Sequence, residues 1–307
     1  MKLLLFSVLT IFHFGSVKAE ILMDGKFSRS DPSVYKSFQT NGKDYTGQAV
    51  AQGFKNQLTF FDNYGDSFGK VARFDLHRSD TPTWNRMRTE LVAPDSPLNT
   101  ELWYGFGVLV PDRVTTTESH VTVFQIHDQA DIGENGARYP TLDVTVDATN
   151  SMRVFNSYDS DLITTAAGVG SMPNVDYVHR ELAAWELVPG EWNYIAMQAI
   201  WTSGDTGLLN IWRNGHLVFS ENNHPNTFND KLGVYAKIGV YTPGLENDWS
   251  TLSAYHTGLV LGDARENFST IQAAIVPEPN LYMMILSGIC VLVFYSRRRI
   301  GTDYGTR

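Results

Sequence analysis

Three short segments carry side chains suited to moving a proton beside a carboxylate. In Arg86-Met87-Arg88-Thr89-Glu90-Leu91, the set Arg86, Arg88 and Glu90 alternates with Met87, Thr89 and Leu91. In Phe124-Gln125-Ile126-His127, Gln125 and His127 alternate with Phe124 and Ile126. In Tyr235-Ala236-Lys237-Ile238-Gly239-Val240-Tyr241, the apolar Ala236, Ile238 and Val240 alternate with Tyr235, Lys237 and Tyr241, and Gly239 leaves space between the polar members. Residues two apart on a strand share a face, so each segment turns an apolar face to a core and a chemically equipped face elsewhere. In a chain of uronic acids the sugar carboxylate makes the C5 proton slightly acidic. Elimination there needs a group that neutralises the carboxylate, a base for the proton and an acid for the departing O4. Arginine and an amide stabilise the charge that develops, and histidine is a suitable base or proton carrier. A tyrosine hydroxyl donates to the leaving oxygen, and a nearby cation lowers its pKa so that it also serves as a base. Arg88, Gln125, His127, Lys237 and Tyr241 supply this set without a metal. Any one segment also reads as an ordinary solvent-facing strand; three together favour a polar groove.

The elements that must position these residues are strands. Short β-rich runs separated by turn signals recur at 57–61, 71–77, 86–92, 102–110, 121–127, 141–146, 152–158, 194–201, 208–213, 216–220, 233–241 and 252–261. Between two of them, Asn214-Gly215 accepts the positive φ angles of a type I′ hairpin turn. No long segment of helical period and no Pro/Ser-rich linker interrupts the run. One domain of two packed antiparallel sheets is expected.

Both ends read as addresses. Residues 1–19 place Lys2 before an apolar run and end in Val17-Lys18-Ala19, the order of a secretory signal peptide cut after Ala19. Residues 276–307 hold Pro277-Glu278-Pro279, an apolar run over 281–295 and Arg297-Arg298-Arg299. This tail resembles a PEP-CTERM sorting signal. The resemblance implies a Gram-negative bacterium, transient membrane anchoring through 281–295, signal peptidase and exosortase as export partners, and a final location outside the cell or on its surface. A plain C-terminal anchor is the alternative. The 307-residue chain has a net charge of −9, which argues against nucleic-acid binding. Without residues 1–19, with two lysines, and 280–307, with four arginines and Asp303, 18 basic and 32 acidic residues remain, a net of −14. Cys290 leaves with the tail, so the body at 20–275 has no disulfide. At about 260 residues its core is large enough to hold the fold alone. A body so acidic needs a local cationic groove to accept an acidic polymer; Arg86, Arg88 and Lys237, with Arg153 or Arg180, are the candidates.

Arg88-Thr89-Glu90-Leu91, Gln125-Ile126-His127 and the Tyr-x-Lys-x-Gly-x-Tyr of 235–241 resemble the three motif strands of jelly-roll polysaccharide lyases. The alginate lyases share their order. Trp103-Tyr104-Gly105-Phe106, Gly190-Glu191-Trp192 and Ile211-Trp212-Arg213-Asn214-Gly215 look closer to the heparin lyase I and glucuronan lyase group. The resemblance runs from Asp24 to Asp263. It implies an all-β jelly-roll sandwich, concanavalin A-like, of two antiparallel sheets, and β-elimination on a uronate-containing anionic polysaccharide that is glucuronan-, alginate-, ulvan- or heparin-like. It assigns Arg88 and Gln125 to the carboxylate, His127 as base or its assistant, and Tyr241 as acid or also base. It implies that Lys237 and Tyr235 support or bind the sugar and that Glu90 orients an arginine; with Arg86 these form the expected substrate-binding set. Alginate lyases commonly continue with Asn-Gln after the last tyrosine and place an arginine soon after Arg-x-Glu. Here Thr242-Pro243 and Val92-Ala93 stand instead, which weakens alginate as the substrate.

The remaining signals have competing readings. His77 is a second site histidine or a surface residue. Trp103, Trp185, Trp192, Trp201 and Trp212 are sugar platforms or core. His120, His179, His216 and His224 lack ligand-like spacing. No cofactor is required; Asp128, Asp131 and Glu134 offer oxygen ligands to a structural calcium or form a solvated acidic loop. A monomer is expected. A non-catalytic carbohydrate-binding matrix protein would explain the aromatics but not Gln125, His127 and Tyr241 together. A hydrolase needs two carboxylates flanking the bond, and no Glu-x-Asp-x-x-Glu strand is present.

Overall fold

The computed structural model describes residues 20–27, 33–46, 57–62, 64, 69–82, 86–112, 120–134, 138–164, 177–243 and 250–276. The expected signal peptide at 1–19 and, apart from Val276, the expected sorting tail at 276–307 lie outside them. Among the described residues no helix is long and apolar enough to cross a membrane.

The strands run, in chain order, β1 Ile21–Asp24, β2 Ser37–Thr40, β3 Lys43–Thr46, β4 Leu58–Asp62, β5 Lys70–His77 and β6 Met87–Ser96. They continue with β7 Glu101–Leu109, β8 Val121–His127, β9 Leu142–Val146, β10 Ser151–Tyr158 and β11 Val178–Glu186. The last are β12 Trp192–Ile200, β13 Leu208–Arg213, β14 His216–Asn222, β15 Val234–Thr242 and β16 Thr251–Asp263, followed by helix α1 Phe268–Ile275. They form two antiparallel sheets. One has the order β14-β13-β12-β7-β16-β5-β4, with β1 added on β16; the other, the site sheet, has β11-β10-β9-β8-β15-β6-β2-β3. The fold is the expected all-β jelly-roll sandwich. Each of the twelve expected strands is present, with ends displaced by up to four residues. The β13–β14 turn has φ of 48° at Asn214 and 86° at Gly215, as its sequence requires.

Between the sheets lies the main core, and it orients the site strands. On β8, Phe124 is 1% exposed and stacks on Phe106 of β7 at 4.2 Å, tying the two sheets together. With Phe124 and Ile126 buried inward, Gln125 and His127 must face the opposite side of the site sheet. Met87 and Leu91 do the same for β6, and Ala236, Ile238 and Val240 for β15. Gly239 has a different role from the expected gap between polar side chains. Its φ is +146°, and a Cβ there would lie 2.1 Å from the Thr89 carbonyl oxygen, so it allows β15 to pass close to β6. Of the five tryptophans with competing readings, none lines the cavity of the site strands. Trp201 is fully buried, and Trp103 and Trp212 stack beneath α1 on the outer face of the first sheet.

His256, on β16, is wholly buried between the sheets. Its Nε2 meets the Gly239 carbonyl at 3.2 Å, and burial pushes its pKa down to about 3. In the unfolded chain a histidine titrates near 6.5. Below that value the unfolded state takes up a proton that the native state refuses. Stability is therefore lost as pH falls from about 6.5 toward 3, by up to about 1.4 kcal/mol per pH unit from this residue. Thermal unfolding at successive pH values should show this acid sensitivity, reduced in His256→Gln.

Candidate active site

The polar faces of β6, β8 and β15 are adjacent in space. Lys237 pairs with Gln125 across β15 and β8, Tyr235 pairs with His127, and Tyr241 pairs with Arg88 across β15 and β6. Together they open onto one cavity of about 220 Å³, lined by Arg86, Arg88, Gln125, His127, Lys237 and Tyr241. A second hollow of about 370 Å³ adjoins it at His127 and runs past Tyr235 to Lys36 and Gln39 on the β2 side.

Glu90 organises the floor. It is 2% exposed, accepts a hydrogen bond from Gln125, and has Arg88 and Lys237 each at 3.7 Å. One carboxylate thus fixes the amide and two cations of the site, more than the single arginine expected of it. Arg88 donates from Nη1 to Gln39 at 3.3 Å, while its buried Nε has no partner among the described residues. Burial pushes the Lys237 amine below its usual value, with Glu90 opposing the shift and Arg88 adding to it.

His127 has its Nδ1 at 3.1 Å from the Asp128 carbonyl and 3.3 Å from the Asp128 carboxylate. Both neighbours are acceptors, so Nδ1 is the nitrogen that holds a proton; in the neutral imidazole the lone pair is then on Nε2, as a base requires. Tyr235 stacks on the imidazole at 5.6 Å. Burial pushes Tyr241 above its usual pKa, while Arg86 and Arg88 pull it down. The phenol therefore stays protonated at neutral pH, the state of an acid. The Arg88 guanidinium sits 5.1 Å above its ring.

Several residues with competing readings are placed by their partners. Asp128 and Glu134 clasp Arg138 together with Asp230, and Asp131 faces Lys231 at 3.6 Å. The loop acids are thus engaged with cations, and among the described residues no group of three or more His, Cys, Asp or Glu is disposed to hold a metal. Arg153 is bound by Asp147 and Glu181, and Arg180 by Glu221, so neither joins the cationic groove. His77 lies in the other sheet, against Thr251 at 3.2 Å. Missed by sequence reasoning were His120, Arg138, Tyr139 and Asp143, which also line the cavity. A signal existed for Asp143 alone: an acid alternating with the core residues Leu142 and Val144.

Comparison with known proteins agrees with this geometry. Residues 27–259 match the family model described as polysaccharide lyase. Among solved structures, the endo-β-1,4-glucuronan lyase of the fungus Trichoderma reesei superposes with a TM-score of 0.54 at 17% identity, covering 69% of this chain and 89% of that one. A family 7 alginate lyase in complex with substrate gives 0.54 at 14% identity, covering 80% and 99%. An alginate lyase from Pseudomonas aeruginosa gives 0.50 at 15%, covering 76% and 99%. None of the curated protein sequences matches the chain. The neighbours share its fold, and the family match over most of its length carries the classification: this chain belongs to the polysaccharide lyase family.

Proposed function

We propose that the enzyme cleaves a uronate-containing anionic polysaccharide by β-elimination, with its chemistry in the Arg88–Gln125–His127–Tyr241 cavity. The observation that carries this reading is convergence: a histidine held through Nδ1 by Asp128 and a protonated tyrosine face one cavity floored by an arginine and an amide. The uronate carboxylate is received by Arg88 and the Gln125 amide, which stabilise charge building on it as the C5 proton leaves. His127 Nε2 takes that proton, and the imidazolium that forms is stabilised by Asp128. Tyr241 gives its phenolic proton to O4 as the C4–O4 bond breaks. The products are a new reducing-side chain end and a sugar with a C4–C5 double bond. Arg86 and Arg88 lie by Tyr241 and stabilise the phenolate left behind. Lys237 and Tyr235 extend the polar floor along the polymer.

Glucuronan stands ahead of alginate as substrate. Thr242-Pro243 and Val92-Ala93 depart from the alginate-lyase pattern, and a glucuronan lyase is among the structural neighbours. Incubation with glucuronan, alginate, ulvan and heparin should produce the ultraviolet absorbance of the unsaturated sugar with at least one polymer, glucuronan first. Binding without that product would favour a carbohydrate-binding protein. New reducing ends without it would favour a hydrolase.

A further inference from the structure

The cavity holds one acid that the elimination scheme leaves unused. Asp143, on β9, is the register partner of Gln125 and lines the same space. Two other buried carboxyls near this floor are held, Glu90 by Gln125 and the cations beside it, and Asp128 by Arg138 and His127. Asp143 has no ion pair among the described residues. It is 4% exposed, and its Oδ1 is buried without a hydrogen-bond partner there. Ionising an unpaired carboxyl in such a place is costly, and burial alone pushes its pKa up to about 7. A carboxyl that keeps its proton is a donor as well as an acceptor.

We propose that Asp143 contacts substrate directly: protonated, it donates a hydrogen bond to the carboxylate of the uronate seated against Gln125 and Arg88, and ionised, it repels that sugar. This rests on reading the cavity as a uronate site. The groups around Asp143 leave it this role. From β8 and the residue before it, His127 is engaged by Asp128, and burial keeps the His120 pKa low. From β6 and β15, Glu90 engages Arg88 and Lys237, while Arg86 and Tyr241 complete that wall. Arg138, ahead of β9, is spent on three carboxylates, and Arg153 of β10 on two. Arg86 lines the same cavity beside Tyr241, but among the described residues no cation stands within ion-pair distance of Asp143, so a substrate carboxylate that takes Arg88 meets an acid with no counter-ion of its own. The two acids then share one proton, and binding becomes proton-linked.

The test is binding of a uronate tetramer, taken from whichever polymer the enzyme cleaves, to the Tyr241→Phe protein, together with KM in the active protein. The wild-type Asp143 form should lose about tenfold in Kd and in KM between about pH 6 and about pH 8.5, the size of one charge-assisted hydrogen bond turned repulsive. Asp143→Asn keeps a donor and cannot ionise, so its affinity should stay within about threefold over that range. Asp143→Leu removes the donor and should bind about tenfold more weakly even at about pH 6. The proposal is overturned if Asp143→Asn shows the same alkaline loss as its parent, if the parent shows none, or if Asp143→Leu binds normally at the lower pH. Failure of any uronate oligomer to bind the parent protein would instead overturn the uronate reading beneath it.

Discussion

Tyr241→Phe should lower kcat about a thousandfold, within the range for loss of a general acid, while KM stays within about threefold. The phenol hydroxyl is the one atom removed. Phenylalanine keeps the aromatic face beneath the Arg88 guanidinium, 5.1 Å away, and the backbone pairing of β15 with β6. The fold and the carboxylate-binding groups therefore remain, and the loss falls on the step in which O4 departs. Without a donor, that oxygen must leave as an alkoxide in a cavity partly closed to water. Steady-state kinetics with circular dichroism as a fold check would show it. A variant with near-normal kcat would remove Tyr241 from the acid role.

The second large effect lies outside the chemistry. Arg138→Met should destabilise the protein by about 3–5 kcal/mol, because breaking a buried ion cluster strands its remaining charges. The Arg138 side chain is wholly buried and holds Asp128, Glu134 at 3.3 Å and both oxygens of Asp230 at 2.6 and 2.7 Å. It also lies over Phe228 at 4.4 Å. These contacts fasten the segment after β8 to the segment before β15, and so set where Asp128 meets His127. In a chain of this size the midpoint of thermal unfolding should fall by roughly 10 °C at neutral pH. The sign with pH is defined. Once Arg138 is gone, the stranded carboxyls titrate higher in the folded state than in the unfolded one. The deficit is therefore smallest in acid, where both states are protonated, and grows as pH rises. A midpoint unchanged at neutral pH would mean that the acids are solvated rather than dependent on the guanidinium. In the folded fraction, kcat should also fall as His127 loses its oriented partner.

The sandwich was legible because its strands are β-rich runs bounded by turn signals, with alternation in the three site strands, and such a pattern is a local property of the chain. The elements that were missed lack it. β1, β2 and β3 are four residues each, and β11, at the edge of its sheet, reads Val-His-Arg-Glu-Leu-Ala-Ala-Trp-Glu without a clean apolar face. The reacting set was legible for the same reason: each member stands on a strand whose inward neighbours declare its direction. What stayed hidden depends on long-range partners. Arg153 and Arg180 look like groove cations until Glu181 and Glu221 arrive from other strands. Asp128 and Glu134 look like calcium ligands until Arg138 closes on them, with Asp230 from almost a hundred residues away. Asp143 stands apart because no ion-pair partner reaches it among the described residues, and no single segment of sequence can show that.

The central claim is that the glycosidic bond breaks by elimination rather than by hydrolysis. Digestion of the cleaved polymer in heavy-oxygen water, with mass spectrometry of the oligosaccharides, tests it most directly. Elimination takes no oxygen from the solvent. The new non-reducing ends should each be one water lighter than a hydrolytic product, absorb in the ultraviolet, and carry no heavy oxygen introduced at the moment of cleavage. Saturated products that incorporate one heavy oxygen at each cut, beyond the slow exchange of free reducing ends, would contradict the account.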